Sequence, residues 1–241
     1  MDIHCFFDLV PQRFLLEYCE VKNKITDHIV KTYKKPANYS FMRSLAEFTY
    51  DVRQNSLNLD YSEIARNSHQ LKTRNFIKKS KYIKPYVNYN IYGTKTGRMT
   101  TRKGYFPILT LDGEYRSILK PKNNYFVEFD YNAAELRVLL GLSGKAQPQA
   151  DKHHALNYLI QSTTSDVVLS RAFKIANKLK DKKSFISFTL HDSIVIDFED
   201  SERELIGEML SIFSNTPFGK FKVNLSAGKT YGHMGRIEWT Q

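Results

Sequence analysis

Two aspartates stand where β-prone runs of the sequence end, and carboxylates in such positions can do chemistry. Asp130 follows an apolar run at 125–129 and precedes a helix-prone segment, while Asp192 separates the runs at 184–190 and 194–198. The hydrophobic period changes from two to 3.6 at Asp130, which predicts a strand that leads directly into a helix. Asp192 is predicted at the tip of a β-hairpin. Each carboxylate would therefore lie at an edge of a sheet.

The position of Asp130 suits a metal ligand and also suits a helix cap. Aspartate is common at helix starts, so the cap is the simpler interpretation of this stretch by itself. If neighbouring strands bring Asp130 close to Asp192, the two carboxylates repel each other unless a cation is present. Oxygen ligands with few other partners favour Mg²⁺, and two such ions about 4 Å apart can activate a 3′ hydroxyl and stabilise a leaving pyrophosphate. The spacing along the chain does not by itself show that the acids meet.

Other chemistries find less support. The sequence has no Gly-x-Ser-x-Gly nucleophile elbow and no Walker A loop. His153 and His154 are adjacent, so on a helix they point in different directions and make a poor metal pair; a solvated or DNA-facing role fits them better. His191, taken by itself, is more simply a packed histidine of the hairpin than a functional one.

Composition places the chain among soluble globular proteins. Its 241 residues are 41% hydrophobic and 25% charged, enough for one large domain or two small ones. No apolar run is long enough to span a bilayer, and we expect no signal peptide. Cys5 and Cys19 have no partners at metal-ligand spacing, which indicates incidental reduced thiols in an intracellular protein.

The net charge of +11 is concentrated in the first half of the chain. Residues 1–121 hold 21 basic and 11 acidic side chains, and the segment 66–103 holds 11 basic side chains and no acid. Tyrosines interleave with these charges: Tyr82, Tyr86, Tyr89 and Tyr92. The run could be a solvated face that aids solubility. Uncompensated charge with interleaved aromatics favours binding to a phosphate backbone instead.

The patterns along the chain predict helices first and a mixed region afterwards. We expect helices over 9–33, 40–52 and from about 61 to 79, which either pack on one another or form an arm that grips nucleic acid. Alternation at 86–92 predicts a strand, and the loop after it offers Arg98 and Arg102 to phosphates. We also predict a short connecting strand at 115–121, a linker-like stretch at 143–149 and a long helix at 152–179 with a polar middle. The last predicted elements are a helix at 201–213, capped by Asp200 or Ser201, and a strand at 221–225.

Five segments in order resemble the family A DNA polymerases, the group that contains bacterial DNA polymerase one and many phage and organellar replicases. FDYNAAELR resembles motif A of that family, usually DYSQIELR, and LHDSIVIDF resembles its motif C hairpin. LNYLIQSTTSDVVLSRA resembles the helix after the fingers, YGTKTGRMTT the Thr-Gly-Arg segment before the palm, and SAGKTYGHM the C-terminal segment. Together these matches cover residues 86–235.

The resemblance implies a role for each matching residue. Asp130 and Asp192 would hold two catalytic Mg²⁺ ions, and the carbonyl of Tyr131 would face a metal. Glu135 would discriminate against a ribose 2′ hydroxyl, and Arg137 would help to organise the palm. The implied contacts to DNA come from Arg98, Arg102, Gln161 and His191, with Lys78 and Lys79 of the basic segment added to them.

The sequence departs from the family pattern at two places. Family members usually have glutamate after the motif C aspartate, where this chain has Ser193. The family also inserts a fingers subdomain, which binds the incoming nucleotide, between motif A and the helix of Gln161. Only about twenty residues stand there in this chain, so the fingers are either removed or naturally missing. The linker-like composition of these residues makes an engineered deletion plausible.

These observations predict an α+β fold: a polymerase palm with an antiparallel sheet (86–241), a helical thumb-like region (1–85), and a linker at 143–151 in place of the fingers. The expected function is DNA-directed DNA polymerisation with Mg²⁺ as cofactor and primer–template DNA as partner, impaired because the element that binds dNTP in the complete enzyme is missing. The alternatives are a non-catalytic primer–template binding module and a Mg²⁺-dependent nuclease. We expect a cytoplasmic protein without a membrane partner, in the host cytoplasm if the source is a phage; a processivity partner is not identified.

Overall fold

The largest element of the computed structural model, which describes residues 10–143 and 153–238, is a five-stranded antiparallel sheet. Its strand order is β11-β10-β5-β7-β6. The strands of the described part, numbered β1–β11 in chain order, are Asn58–Leu59, Tyr89–Asn90, Thr100–Thr101, Leu119–Lys120, Tyr125–Tyr131, Phe185–Leu190, Ser193–Phe198, Asn215–Thr216, Gly219–Lys220, Val223–Gly228 and Gly235–Ile237.

The described residues also form helices. The α-helices of the same residues, numbered α1–α7, are Gln12–Thr32, Tyr39–Gln54, Ser62–Ala65, Leu71–Ser80, Ala134–Ser143, His153–Lys178 and Leu205–Ser214. In the described part of the chain three 3-10 helices lie at Ile108–Thr110, Gly113–Ile118 and Asp200–Glu202. The predicted α+β class with an antiparallel sheet is confirmed.

The neighbouring strands β5, β7 and β6 contribute most of the buried residues of the sheet. Every residue of β7 is buried, and β5 buries the apolar side chains of its YFVEFDY sequence, which is rich in the aromatic residues that strands favour. The long helix α6 packs on β6 and β7 and on the neighbouring helices α5 and α7. Its buried Val168, Ala172 and Ile175 recur at helical spacing. The ends of β5 and β7 are therefore held by a packed core.

The contacts divide the chain into two compact units, residues 1–40 and 41–241. In the first unit α1 buries none of its residues, and Phe14, Ile25 and Ile29 of its predicted apolar stripe are each about half exposed. In the second unit the segment 41–85 shares one core with the sheet, to which Leu45, Phe48 and other residues of α2 contribute. The thumb-like role of residues 1–85 stays a prediction.

Several predicted elements differ in detail from the structure. The helix expected from 61 to 79 is interrupted by a polar turn at 66–70, which gives α3 and α4. The alternating segment 86–92 forms only the short β2, and 115–121 is mostly a 3-10 helix followed by β4. Neither Asp200 nor Ser201 caps a helix: α7 begins later, and Asp200 instead accepts hydrogen bonds from Tyr125 and Arg203.

Candidate active site

The register of the central strands brings the two predicted carboxylates to one end of the sheet. Asp130 of β5 pairs with Ser193 of β7, the residue directly after Asp192. The backbone N–H of Tyr131 donates to the carbonyl of Asp192 over 3.3 Å. Asp130 is therefore not a helix cap: it is part of β5, and α5 begins only at Ala134. The cap interpretation is wrong because the strand continues through Tyr131.

Packing below this end of β5 fixes where the carboxylates lie. The ring of Tyr131 stacks on Phe213 of α7 with 4.1 Å between ring centroids, and its hydroxyl donates to the Phe213 carbonyl. Arg137 donates from Nε to the Asn132 carbonyl over 2.7 Å and lies over the ring of Phe221. Arg137 thus holds the turn between β5 and α5, in which Ala133 adopts a left-handed φ of 53°.

The electrostatics of Asp130 are those of an acid crowded by other acids. Burial, and after it the negative charge of Asp192, raise the pKa of Asp130 to about 6 from an ordinary 3.8. The amide of Asn224, opposite Asp130 on β10, donates weakly over 3.4 Å and acts against the rise in pKa. Negative charge at this position is costly without a cation, as expected for a site that binds one.

A third carboxylate, Glu128, lies on the same face of β5, and the sequence analysis missed it. Ser193 Oγ donates to Glu128 Oε1 over 3.0 Å, and the Tyr231 hydroxyl donates to the same oxygen over 3.3 Å. Burial raises the pKa of Glu128, which these hydroxyls and the charge of Arg116 oppose. The available signal was the two-residue spacing from Asp130, since strand residues i and i+2 share a face.

The hairpin that carries Asp192 is tight. Leu190 pairs with Ser193, so His191 and Asp192 alone form the turn, and His191 has a left-handed φ of 37°. The prediction of a packed histidine is wrong, because the His191 side chain is exposed. Two-residue hairpins require positive φ in the turn, which histidine tolerates better than a β-branched residue does.

Five predicted site residues line one cavity of about 90 Å³ beside this hairpin: Arg98, Glu135, Gln161, His191 and Asp192. Thr164 and Ser165 of α6 complete its wall. Arg98 donates from its guanidinium to Glu135 Oε1, so the residue predicted to contact DNA is bonded to the residue predicted to discriminate sugars. The buried hydroxyl of Tyr89 ties the segment that carries Arg98 to β6, since it donates to the Thr189 carbonyl over 2.7 Å and accepts from the Thr189 N–H.

Other predicted DNA contacts lie outside this cavity. Lys78 and Lys79 end α4 and are exposed, as is Arg102. Acids outside the segment 66–103 neutralise part of its positive charge. Lys72 pairs with Asp112 and Glu114, and Arg98 pairs with Glu135. The structure does not describe the side chains of His153 and His154. The predicted linker at 143–151 also lies outside the described residues, apart from the backbone of Ser143.

The donor set at the end of β5 fits a hard divalent cation. Within the described residues the Asp192 carboxylate accepts no hydrogen bond and Asp130 accepts only the weak one from Asn224, so their oxygens are available. In those residues no three His, Cys, Asp or Glu side chains are arranged to hold a metal together. Mg²⁺ suits such a pair, because it usually binds one or two carboxylates and keeps waters or substrate phosphates as its other ligands.

Comparison with solved structures connects this geometry to a known fold. The chain is similar to the POL domain of Pol1 from M. smegmatis, whose structure is a complex with DNA primer-template and dNTP, at a TM-score of 0.55 and 10% identity. The chain has a polymerase-like fold. The similarity covers 80% of this chain but only 66% of that one, just under two thirds of its length.

Comparisons at the level of sequence add nothing to this result. No protein-family profile matches the sequence, and no curated protein does. The polymerase-like fold thus accommodates both predicted carboxylates at the end of its sheet, while identity with the solved domain is too low to assign an activity. Within the part of the chain that the structure describes, no helix has the length and apolar character needed to cross a membrane.

The crowding of acids leads to a prediction about stability. Asp130→Asn should raise the free energy of unfolding of the metal-free protein at pH 7.5 by about 1 kcal/mol, a value reduced from the full pKa shift because the carboxyl is partly solvated. The folded-state pKa of Asp130 lies above the unfolded one, so the contribution of this carboxyl to stability is greatest below pH 4 and is lost as the pH rises through about 6. Urea denaturation at pH 3.5 and 7.5 measures the difference, which should vanish at the lower pH.

The matched control is Asp181→Asn, which changes an exposed acid in the turn before β6. It should not produce the same pH-dependent gain. Addition of Mg²⁺ should stabilise the wild type and leave Asp130→Asn nearly unchanged, because a ligand stabilises only the state that binds it. Equal stability of the wild type and Asp130→Asn at both pH values would show that neither burial nor the charge of Asp192 makes ionised Asp130 costly in the folded state.

Proposed function

We propose that this chain is the palm and thumb of a DNA-directed DNA polymerase, a nucleotidyltransferase of the family A type. It binds primer–template DNA and transfers nucleotides slowly, because the fingers subdomain is absent. The observation that carries the proposal is the position of Asp130 on β5, paired with Ser193, next to Asp192 in the hairpin turn. A cavity lined by Asp192, Arg98, Glu135 and Gln161 lies beside this hairpin. An enzyme of this kind acts on DNA in the cytoplasm, in that of the host if the source is a phage.

In this mechanism the carboxylates of Asp130 and Asp192 bind the metal ions. Asp130 and Asp192 would hold two Mg²⁺ ions, and the bound ions would supply activation of the primer 3′ hydroxyl and charge stabilisation of the leaving pyrophosphate. The carbonyl of Tyr131 would face a metal. Asn224 orients Asp130 through its amide, and the stack of Tyr131 on Phe213 keeps the end of β5 rigid.

The cavity beside the carboxylates positions the substrate. Glu135 excludes a ribose 2′ hydroxyl, while Gln161 and His191 lie near the primer terminus. Arg98 must exchange its partner Glu135 for the duplex, or share its guanidinium between them, since that group already donates to the glutamate. Lys78, Lys79 and Arg102 contact the DNA backbone.

The missing fingers limit the rate. In this proposal residues 143–151 take their place in the sequence, and we expect so short a segment to be unable to form the cationic helix that holds the triphosphate of an incoming nucleotide. Without that contact the nucleotide is held mainly by base pairing and by the ions. Loss of orientation in the reacting complex removes a large part of an enzyme's rate advantage.

A primer-extension assay tests the proposal. Labelled primer–template is incubated with the chain and Mg²⁺, with each dNTP supplied singly and with none. We expect extension only by the nucleotide that the template specifies, at a rate well below about 1 s⁻¹, the low end of ordinary turnover numbers. Extension at the rate of a complete enzyme would contradict the role given to the missing fingers.

The same assay separates the two alternatives. Shortening of the primer without dNTPs would indicate a Mg²⁺-dependent nuclease that uses the same carboxylates. Tight binding of primer–template without extension or shortening, unaffected by Asp130→Ala and Asp192→Ala, would indicate a non-catalytic binding module. Either result would replace the polymerase assignment.

A further inference from the structure

The helix α1 in the first compact unit has no buried residue. Its apolar side chains nevertheless share one face, because they recur at spacings of three and four: Phe14, Tyr18, Val21, Ile25 and Ile29. Between 45% and 51% of the surface of Phe14, Val21 and Ile25 is exposed. Helices in proteins owe most of their stability to the packing of such a face rather than to helix propensity. A second surface that covers this face would therefore stabilise α1.

The charges of α1 restrict the kind of surface that can cover it. Its sequence holds four basic side chains and three acidic ones. Phosphate backbones attract uncompensated positive charge, and helices that lie on membranes carry mainly Lys and Arg on their polar face. A nearly balanced mixture of both signs suits neither of these partners. It suits a protein surface, on which acids and bases can pair.

The apolar face has a symmetric pattern along the helix. Tyr18 and Val21 lie three residues apart at its centre, and Phe14 and Ile25 lie four residues outside them on either side. These are the spacings of the a and d positions of a coiled coil, and the four residues are called the seam here. If two identical helices run antiparallel about a twofold axis, Phe14 of each copy meets Ile25 of the other. Tyr18 then meets Val21 in the same way.

The charges beside the seam are complementary in the same arrangement. Glu17 and Lys24 each stand directly before a residue of the seam, so both lie on the same flank of it. Equal flanks of two identical helices face each other when the helices run antiparallel, so Glu17 of each copy would face Lys24 of the other. A parallel pair would place Lys24 against the apolar Ile29 instead. Charges at such flanking positions determine which partner a helix accepts and in which direction.

We propose that two copies of this chain associate through α1 as an antiparallel pair, with the seam of each copy packed on the seam of the other. A second copy is the occupant because both the apolar spacing and the flanking charges complement themselves. The seam spans less than two heptads, so the interface is small and the association is weak and reversible. The proposal is independent of the proposed function, since it uses neither the carboxylates nor the segment 66–103.

Sedimentation equilibrium of the full chain measures this association. Between about 5 and about 500 µM the mass should rise from the 28.1 kDa of one chain towards twice that value. Ile25→Ala should weaken dimerisation at least about tenfold, because each dimer loses two isoleucines from its seam. The matched control is Leu16→Ala, which removes an exposed side chain from the opposite face of α1 and should leave dimerisation unchanged. Alanine favours helix, so both variants should keep α1.

Charge reversal tests the direction of the helices. Glu17→Lys and Lys24→Glu should each weaken dimerisation at least about tenfold, because each replaces two attractive pairs by two repulsive ones. The double variant should dimerise like the wild type, since its charges are only exchanged. An equimolar mixture of the two single variants should form heterodimers, because each offers the charge that the other needs. The control Asp27→Lys changes the opposite face of α1 and should have no effect.

Three results would overturn the inference. The mass of one chain at every concentration would mean that no second copy covers the seam. A dimer that Ile25→Ala does not weaken would place the interface elsewhere on the chain. Sensitivity to Glu17→Lys without sensitivity to Lys24→Glu would indicate parallel helices. None of these results bears on the proposed function, which is tested by primer extension and requires no second copy.

Discussion

Replacement of Asp130 by Asn is expected to lower the rate of Mg²⁺-dependent nucleotide transfer by roughly a thousandfold, and Asp192→Asn should do the same. Each change removes a charged oxygen ligand at the end of the central sheet while keeping the size and shape of the side chain. Because the two carboxylates act as a unit, the double variant should be no slower than either single one. Primer extension under single-turnover conditions measures the three rates.

A second readout is needed because the wild-type chain is itself expected to be slow. Mn²⁺, followed by electron paramagnetic resonance, should bind to the wild type and at least tenfold more weakly to each variant, whether or not transfer is detectable. Asp181→Asn serves again as the control and should retain both binding and transfer. If both single variants, Asp130→Asn and Asp192→Asn, bound Mn²⁺ as tightly as the wild type, the proposal that these two residues hold a metal would be wrong.

The affinity for primer–template DNA is expected to fall several hundredfold when NaCl is raised from about 50 to about 200 mM. Such a fall corresponds to about five phosphate contacts, because each neutralised phosphate releases counterions and contributes about 0.9 to the slope of log K against log salt. The basic segment 66–103 supplies side chains for these contacts, including exposed lysines at the end of α4. Fluorescence anisotropy over a series of salt concentrations gives the slope.

Charge removal then locates the contacts. The triple variant Lys78→Gln, Lys79→Gln, Lys81→Gln should reduce the magnitude of the slope by about three. A matched triple at the exposed Lys180, Lys182 and Lys183, between α6 and β6, should leave it unchanged. If the wild-type affinity did not depend on salt, or if the two triple variants had equal slopes, the segment 66–103 would not supply the phosphate contacts.

The local part of the site could be predicted from the sequence, because local patterns determine it. The change of period at Asp130 correctly indicated the passage from β5 to α5, and the runs on either side of Asp192 correctly indicated a hairpin. The resemblance to polymerase motifs then suggested that the two acids meet. Their meeting depends on the pairing of Asp130 with Ser193, which is a long-range contact that no periodicity encodes.

The parts that could not be predicted are long-range pairings of polar groups. Nothing in the sequence singled out Glu128, and only the three-dimensional structure shows that Ser193 and Tyr231 hold it. The bond between Arg98 and Glu135 joins residues 37 positions apart. Within the described residues the buried hydroxyl of Thr164 has no hydrogen-bond partner, which is a property of packing, since the sequence showed only a helix with an unusually polar middle.

The hydrogen bond between Ser193 and Glu128 has a consequence for how such chains are compared. A position-by-position alignment records serine in place of the usual glutamate after Asp192 and counts one acid lost. In this chain an acid lies on the facing strand, where Glu128 accepts a hydrogen bond from that same serine. Burial raises the pKa of Glu128, and Asp192 is close enough for its charge to add to the rise, so the paired region of β5 and β7 keeps an acid near Asp192 despite the serine.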